Sequence, residues 1–150
     1  MGHTFSKILL HVVFGTKGRR CSLYGNMRED LLRHLDRIAR REGVQVVTAN
    51  AVDDHVHMLL WTKPVHAPSN VVRNLKANSS RWIHETYPNL RGFAWQSGFG
   101  MFSVSESAAA GVAAYIEKQE EHHRRMPFAE ELRVLLERHG IRYDPEHYLD

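Results

Sequence analysis

Two β-rich runs, residues 44–51 and 55–62, are separated only by Val52-Asp53-Asp54. Three residues leave no room for a crossover, so the runs must pair as an antiparallel hairpin. The turn also sets the frame of the second run, His55-Val56-His57-Met58-Leu59-Leu60-Trp61-Thr62. Side chains alternate along a strand, which puts His55 and His57 on one face and Val56 and Met58 on the other. Two imidazoles on one rigid surface suit a metal, because their neutral ring nitrogens can converge on a single ion. A His-x-His pair on a half-exposed strand is equally compatible with no ligand.

The rest of the chain supplies partners for this hairpin. Residues 6–15 alternate and are rich in Leu, Val and Phe, which predicts a first strand. It runs into Thr16-Lys17-Gly18-Arg19-Arg20, three cations on a glycine-bearing loop that suit either a phosphate contact or plain solvation. Leu31, Leu32, Leu35, Ile38 and Ala39 recur at helical spacing over residues 27–42, and Gly43 supplies the stop. A second helix is expected over 68–85, with Val71, Val72, Leu75, Trp82 and Ile83 on its apolar side. Arg73, Lys76 and Ser80 fall off that stripe and face either a sugar-phosphate backbone or solvent.

Tyr87-Pro88-Asn89 then breaks the chain, and the aromatic, glycine-punctuated stretch 93–104 reads as a bent or bulged fourth strand. Ser105 suits the N-cap of a helix over 106–124. Pro127 restarts a helix with Phe128, Leu132, Leu135 and Leu136 on its apolar side, ended by Gly140 and followed by an irregular tail.

The order strand, helix, strand, strand, helix, strand predicts an α+β fold, a ferredoxin-like four-stranded antiparallel sheet with helices on one face. The opposite face, where the histidine pair belongs, needs covering by a later helix or by another chain. At 150 residues, 43% of them hydrophobic, the chain fits one core. Its formal charge of +3 favours a polyanionic partner only mildly. Cys21 is the single cysteine, so no intramolecular disulfide can form and a reducing compartment is expected. His11 and Gly15 interrupt the early apolar run, and no stretch approaches the roughly 20 apolar residues of a membrane span. These features predict a soluble cytoplasmic protein with no membrane partner.

One more pattern bears on chemistry. Tyr115 and Gln119 stand four residues apart, hence on one face of the expected helix, with the small residues Ala108 and Gly111 before them. By itself such a tyrosine is as readily a packed amphipathic residue. Together, however, His55-Val56-His57, Tyr115-Ile116-Glu117-Lys118-Gln119 with His122-His123, His11-Val12-Val13-Phe14 with Thr16-Lys17, and Trp95-Gln96 leading through Gly98-Phe99-Gly100 to Phe102-Ser103-Val104-Ser105 form an ordered set. In that set the chain resembles the IS200/IS605-type single-tyrosine transposases of the HUH endonuclease superfamily. Asp53-Asp54 stands where members often carry Pro-Asp, and both suit a turn.

The resemblance implies a transposase domain over 1–126 with 127–150 as its helical extension. It implies cleavage and rejoining of single-stranded DNA at hairpin ends, with Tyr115 as nucleophile and a 5′-phosphotyrosine intermediate. His55, His57 and Gln119 would hold Mg²⁺ or Mn²⁺, and a homodimer is implied in which one chain's tyrosine helix can complete its partner's site. It also implies a prokaryotic protein, associated with the nucleoid when active. His11, Lys17, Arg19, Arg20, Lys76 and Trp95 are the candidates for DNA contacts, Trp95 equally a core residue. Three other readings use the same residues: a domesticated relative acting on dispersed hairpin repeats, a non-catalytic nucleic-acid-binding regulator, and a metallohydrolase using activated water.

Overall fold

A computed structural model describes residues 2–150. Strand β1 (Ile8–Gly15) leads through a short 3₁₀ turn to helix α1 (Met27–Arg41). The expected hairpin follows as β2 (Gln45–Ala51) and β3 (His55–Thr62), then α2 (Pro68–Thr86) and β4 (Gly100–Val104). The strands form one fully antiparallel sheet in the order β2-β3-β1-β4, the ferredoxin-like arrangement. Helix α1 stops where Gly43 takes a positive φ of 78°, which lets Val44 N–H reach back to the Ala39 carbonyl.

The two faces of the sheet carry different chemistry. Val12 and Phe14 of β1 and Val56, Met58 and Leu60 of β3 join the apolar faces of α1 and α2 in the larger core. On the opposite face, Val13 and Phe102 meet Phe128, Leu132 and Leu135 of α5 (Phe128–Arg138), and Leu9 and Leu59 meet Ile116 of α3 (Ala109–Glu117). That face is therefore covered by the chain's own later helices. Tyr148 and Leu149 of the tail pack beside α5, and the Asp150 carbonyl accepts Gly98 N–H at 2.9 Å.

Two expectations change. The fourth strand begins only at Gly100; residues 94–96 hug the end of β1 through Lys17 N–H to Ala94 O and Gln96 N–H to Gly15 O, with a single bridge between Thr16 and Trp95. The helix expected over 106–124 is divided into a 3₁₀ turn (Glu106–Ala108), α3 and α4 (Gln119–Arg125), with Lys118 between the last two at φ −97° and ψ 21°. The Asn50 side-chain amide donates to the carbonyls of Ile116 and Glu117 at 3.0 and 3.2 Å, ending α3 from outside. Ser105 precedes the 3₁₀ turn, but its hydroxyl pairs with Ser107 rather than capping the backbone.

Gly15 lies close beneath α5. A Cβ there would lie 2.6 Å from the Phe128 ring and 3.2 Å from the Asp54 carbonyl. Gly15→Ala is expected to cost about 1–3 kcal/mol through overpacking. Gly92→Ala, whose Cβ meets nothing within 4 Å, should stay within about 0.5 kcal/mol of wild type. Urea unfolding of both variants checks the difference.

Candidate active site

The register of β1 against β3 builds the site. Gly15 pairs with His55, Val13 with His57 and His11 with Leu59, so His11, His55 and His57 share the second face of the sheet. Because Gly15 has no side chain, the Phe128 ring fits beside it and stacks on His55, with centroids 4.4 Å apart. From above, α3 and α4 bring Tyr115 and Gln119, and α5 brings Glu131. His11, His55, His57, Gln119 and Glu131 are all at most 4% exposed, and Tyr115 is half-buried.

Glu131 joins these groups. Its Oε1 lies 3.0 Å from His57 Nε2 and 3.1 Å from His55 Nε2. Its Oε2 accepts the Gln119 side-chain N–H at 3.1 Å and the Tyr115 hydroxyl. Gln119 Oε1 is in turn 3.2 Å from His55 Nε2. Behind the histidines sits an outer layer: Asp54 Oδ1 is 2.7 Å from His55 Nδ1, and His11 Nε2 is 2.8 Å from His57 Nδ1. Asp54 can only accept, so His55 must donate through Nδ1, the arrangement that orients ligand histidines.

These contacts set the protonation states. Burial acts to lower His55, but the carboxylates of Asp54 and Glu131 outweigh it and hold the imidazole up to about 9. Burial lowers His57, and burial with the neighbouring His57 brings His11 down to about 3. Burial acts to raise Glu131, yet bonds from His55, His57 and Tyr115 keep it far below the usual carboxylate range. Burial and then the Glu131 carboxylate push Tyr115 above its ordinary value, while Gln119 and Arg138 pull the other way.

Among the described residues, two sets of side chains bring three ligand atoms within 4.8 Å of one another: His55, His57 and Glu131, and Asp54, His55 and His123. The first set suits a divalent ion better. Its carboxylate oxygen lies 3.0 and 3.1 Å from the two ring nitrogens, whereas His123 Nε2 already lies 2.7 Å from Asp53 Oδ1 and 3.8 Å from Asp54 Oδ1.

Of the residues expected from sequence, His55, His57, Tyr115 and Gln119 are brought together. His11 is buried in the same cluster, bonded to His57, and also lines the cleft beside Tyr115. Lys17, Arg19 and Arg20 lie exposed on the loop after β1, Lys17 and Arg20 lining a cleft of about 460 Å³. Lys76 is half-buried, its ammonium donating to the carbonyls of Ser97 and Gly98 at 3.1 and 2.8 Å. Trp95 belongs to the larger core: its ring meets Phe14 and Phe93 edge-on, its N–H donates to Ser79 Oγ, and it lines a cleft with Arg73 and Lys76. His122 stacks on Tyr115 with centroids 4.6 Å apart, and His123 pairs with Asp53. Glu131 and Asp54 were not anticipated. A signal for Glu131 did exist, since it falls three residues after Phe128 and four before Leu135, on the apolar stripe of α5.

The raised His55 makes the metal-free protein pH-sensitive. Its folded value lies above the ordinary 6.5, so its contribution is complete below about pH 6.5 and is lost as pH rises through about 9. Thermal unfolding of metal-free protein should show a stability loss on the order of 3 kcal/mol across that window, which His55→Gln should largely remove.

Comparison with known proteins places this arrangement. The family model described as Transposase IS200 like matches residues 4–119. The ISDra2 transposase TnpA of Deinococcus radiodurans is 33% identical over 114 residues, 73% of this chain and 81% of that protein. The transposase for insertion sequence element IS200 of Salmonella typhimurium is 30% identical over 125 residues, 79% of this chain and 81% of that one. A crystal structure from Deinococcus radiodurans R1, assigned to a transposase, superposes with a TM-score of 0.66 at 30% identity, covering 79% of this chain and 96% of that one. The REP-associated tyrosine transposase, solved bound to a REP hairpin, shares the fold with a TM-score of 0.62 at 14% identity, over 82% of this chain and 73% of that one. With the family match spanning most of its length and the relatives aligned over nearly three quarters of it or more, the chain belongs to the IS200-like transposases and is a DNA transposase of the IS200/IS605 type.

Proposed function

We propose that this transposase cuts and rejoins single-stranded DNA at hairpin ends with Tyr115 as nucleophile and a divalent ion at the histidine pair. The observation that carries the reading is the convergence, within one chain, of the Tyr115 hydroxyl, His55, His57 and Gln119 around the buried carboxylate of Glu131. Two imidazole nitrogens and an amide oxygen fit Mg²⁺ or Mn²⁺ with positions left for phosphate oxygens and water. Held by His55, His57 and Gln119, such an ion would supply Lewis-acid polarisation of the scissile phosphate.

The chain's own residues do the rest. The Tyr115 oxygen forms a bond to phosphorus as the bond from phosphorus to the 3′-oxygen breaks. The phenolic proton leaves as that bond forms, and the departing oxygen takes up a proton to become a free 3′-hydroxyl. The 5′-phosphate stays on Tyr115, so attack by another 3′-hydroxyl reverses the step and joins strands with no external energy source. A cleft of about 630 Å³ opens beside Tyr115, floored by the small Ala108 and Gly111, and admits a strand to the tyrosine. The exposed cations Lys17, Arg19 and Arg20 suit backbone phosphates of the hairpin stem. The hairpin seen with the fold relative supports that substrate.

Residues 1–126 carry this chemistry and 127–150 extend the same domain over the site. Tyr115 already lies over its own chain's histidines, its ring 5.9 Å from that of His57. A homodimer then serves to bring two DNA ends together and does not have to supply the tyrosine. Among the described residues no helix is long and apolar enough to cross a membrane.

Incubation with single-stranded oligonucleotides from the DNA flanking the gene, plus Mg²⁺ or Mn²⁺, should give a denaturation-resistant protein–DNA adduct. Tyr115→Phe should reduce it below detection, and His57→Ala should lower its yield by about 100-fold or more. Binding without any adduct would instead mark a nucleic-acid-binding regulator, and cleavage surviving Tyr115→Phe would mark a water-using hydrolase.

A further inference from the structure

We infer that Glu131 is itself a ligand of the divalent ion, a carboxylate delivered by α5 from beyond the segment shared with the family model. The inference rests on the metal reading of the histidine pair given above. The match to the family ends at residue 119, so nothing in the shared pattern assigns a role to α5.

Three observations carry it. First, Glu131 interrupts the apolar stripe of α5 between Phe128 and Leu135, and its side-chain partners are His55, His57, Gln119 and Tyr115. A carboxylate aimed out of an apolar stripe is costly unless paired, and here all its pairing lies within the site. Second, the spacing suits an ion. Ligand bonds of about 2.1 Å at right angles separate neighbouring donor atoms by about 3 Å. Glu131 Oε1 lies 3.0 and 3.1 Å from the two histidine Nε2 atoms, and Gln119 Oε1 lies 3.2 Å from that of His55. Third, both rings already have Nδ1 engaged, by Asp54 and by His11, so both turn Nε2 towards the same carboxylate oxygen. Outer bonds of this kind orient ligand histidines.

The resulting set is two imidazoles, one amide oxygen and one carboxylate. Its nitrogens favour Mn²⁺ over Mg²⁺, and its negative charge strengthens either. Two of six positions stay free for phosphate oxygen and water. Because Oε2 of the same carboxylate accepts the Tyr115 hydroxyl, Glu131 also positions the nucleophile beside the ion.

The test is Mn²⁺ titration of the metal-free full-length protein by calorimetry, without DNA, for wild type, Glu131→Gln, Glu131→Asp and His57→Ala, with circular dichroism to follow folding. Glu131→Gln should weaken Mn²⁺ binding by about tenfold or more. Glu131→Asp, which keeps the charge but withdraws the oxygens by one methylene, should weaken it as well and decides the matter if the glutamine variant does not fold. Affinity equal to or tighter than wild type in the folded Glu131 variants, with binding lost in His57→Ala, would overturn the inference: Glu131 would then be a competitor occupying the ion's place. Binding unchanged in His57→Ala would remove the metal reading of the histidine pair itself, and this inference with it.

Discussion

A carboxylate held at 4% exposure between a sheet and three helices organises the functional half of this molecule. Glu131 must find compensation there, since a buried charge with no partners costs several kcal/mol. The compensation comes from β3 through His55 and His57, from α3 through Tyr115 and from α4 through Gln119. Each contact is worth only about 1–3 kcal/mol, but they share one acceptor group and so act as a unit. Removing any member leaves the rest with an uncompensated buried group. The position of α5, the angle of the tyrosine segment and the rotamers of the two histidines are therefore one coupled arrangement.

The antiparallel register makes this possible without loss of stability elsewhere. Alternation sends Val12, Phe14, Val56, Met58 and Leu60 to the apolar core with α1 and α2, and sends His11, His55 and His57 to the other side. The two faces thus separate the work of folding from the work of chemistry. The histidines stand on central strands and inherit their rigidity. Tyr115 does not: of the nine residues of α3 only Ile116 is fully buried, and Asn50 together with Glu131 supplies its polar anchorage. Sparse burial of this kind belongs to the easily opened end of a protein's local stabilities. Tyr115, the proposed nucleophile, thus rides on a sparsely buried helix, and the two histidines on the central strand β3.

Much of this was legible in the residues. The hairpin, the α1 stop at Gly43 and the α2 start at Pro68 follow from local chemistry, and the structure puts β3 at residues 55–62 as periodicity predicts. The convergence of His55, His57, Tyr115 and Gln119 rests on an ordered set of motifs, since no single spacing announces it. What failed to show was whatever depends on a distant partner. The late start of β4 reflects residues 94–96 wrapping the end of β1, and Lys118 interrupts the helix because Asn50, 68 positions earlier, takes its carbonyls. His11 and Trp95 were candidates for DNA contacts, Trp95 equally a core residue, and the burial of both comes from helices packed on each face. Glu131 was hidden for a related reason. One acidic residue on an apolar stripe is ordinary in sequence and becomes informative only once the stripe is seen to face two histidines.

Covering the second face also decides how DNA can arrive. Phe128 stacks on His55 across Gly15, and the tail from Tyr148 closes beside α5, so the histidines are shut off from that side. Exclusion of water there strengthens every charge interaction within the cluster. The cleft between β4, α3 and α5 is lined by Phe102, Gly111, Tyr115 and Arg138. Under the proposed function a strand in that cleft would lie against Tyr115 and His11, with the Arg138 cation on the same wall. The tyrosine hydroxyl is bonded inward to Glu131, so it faces the ligand cluster while its ring faces the cleft.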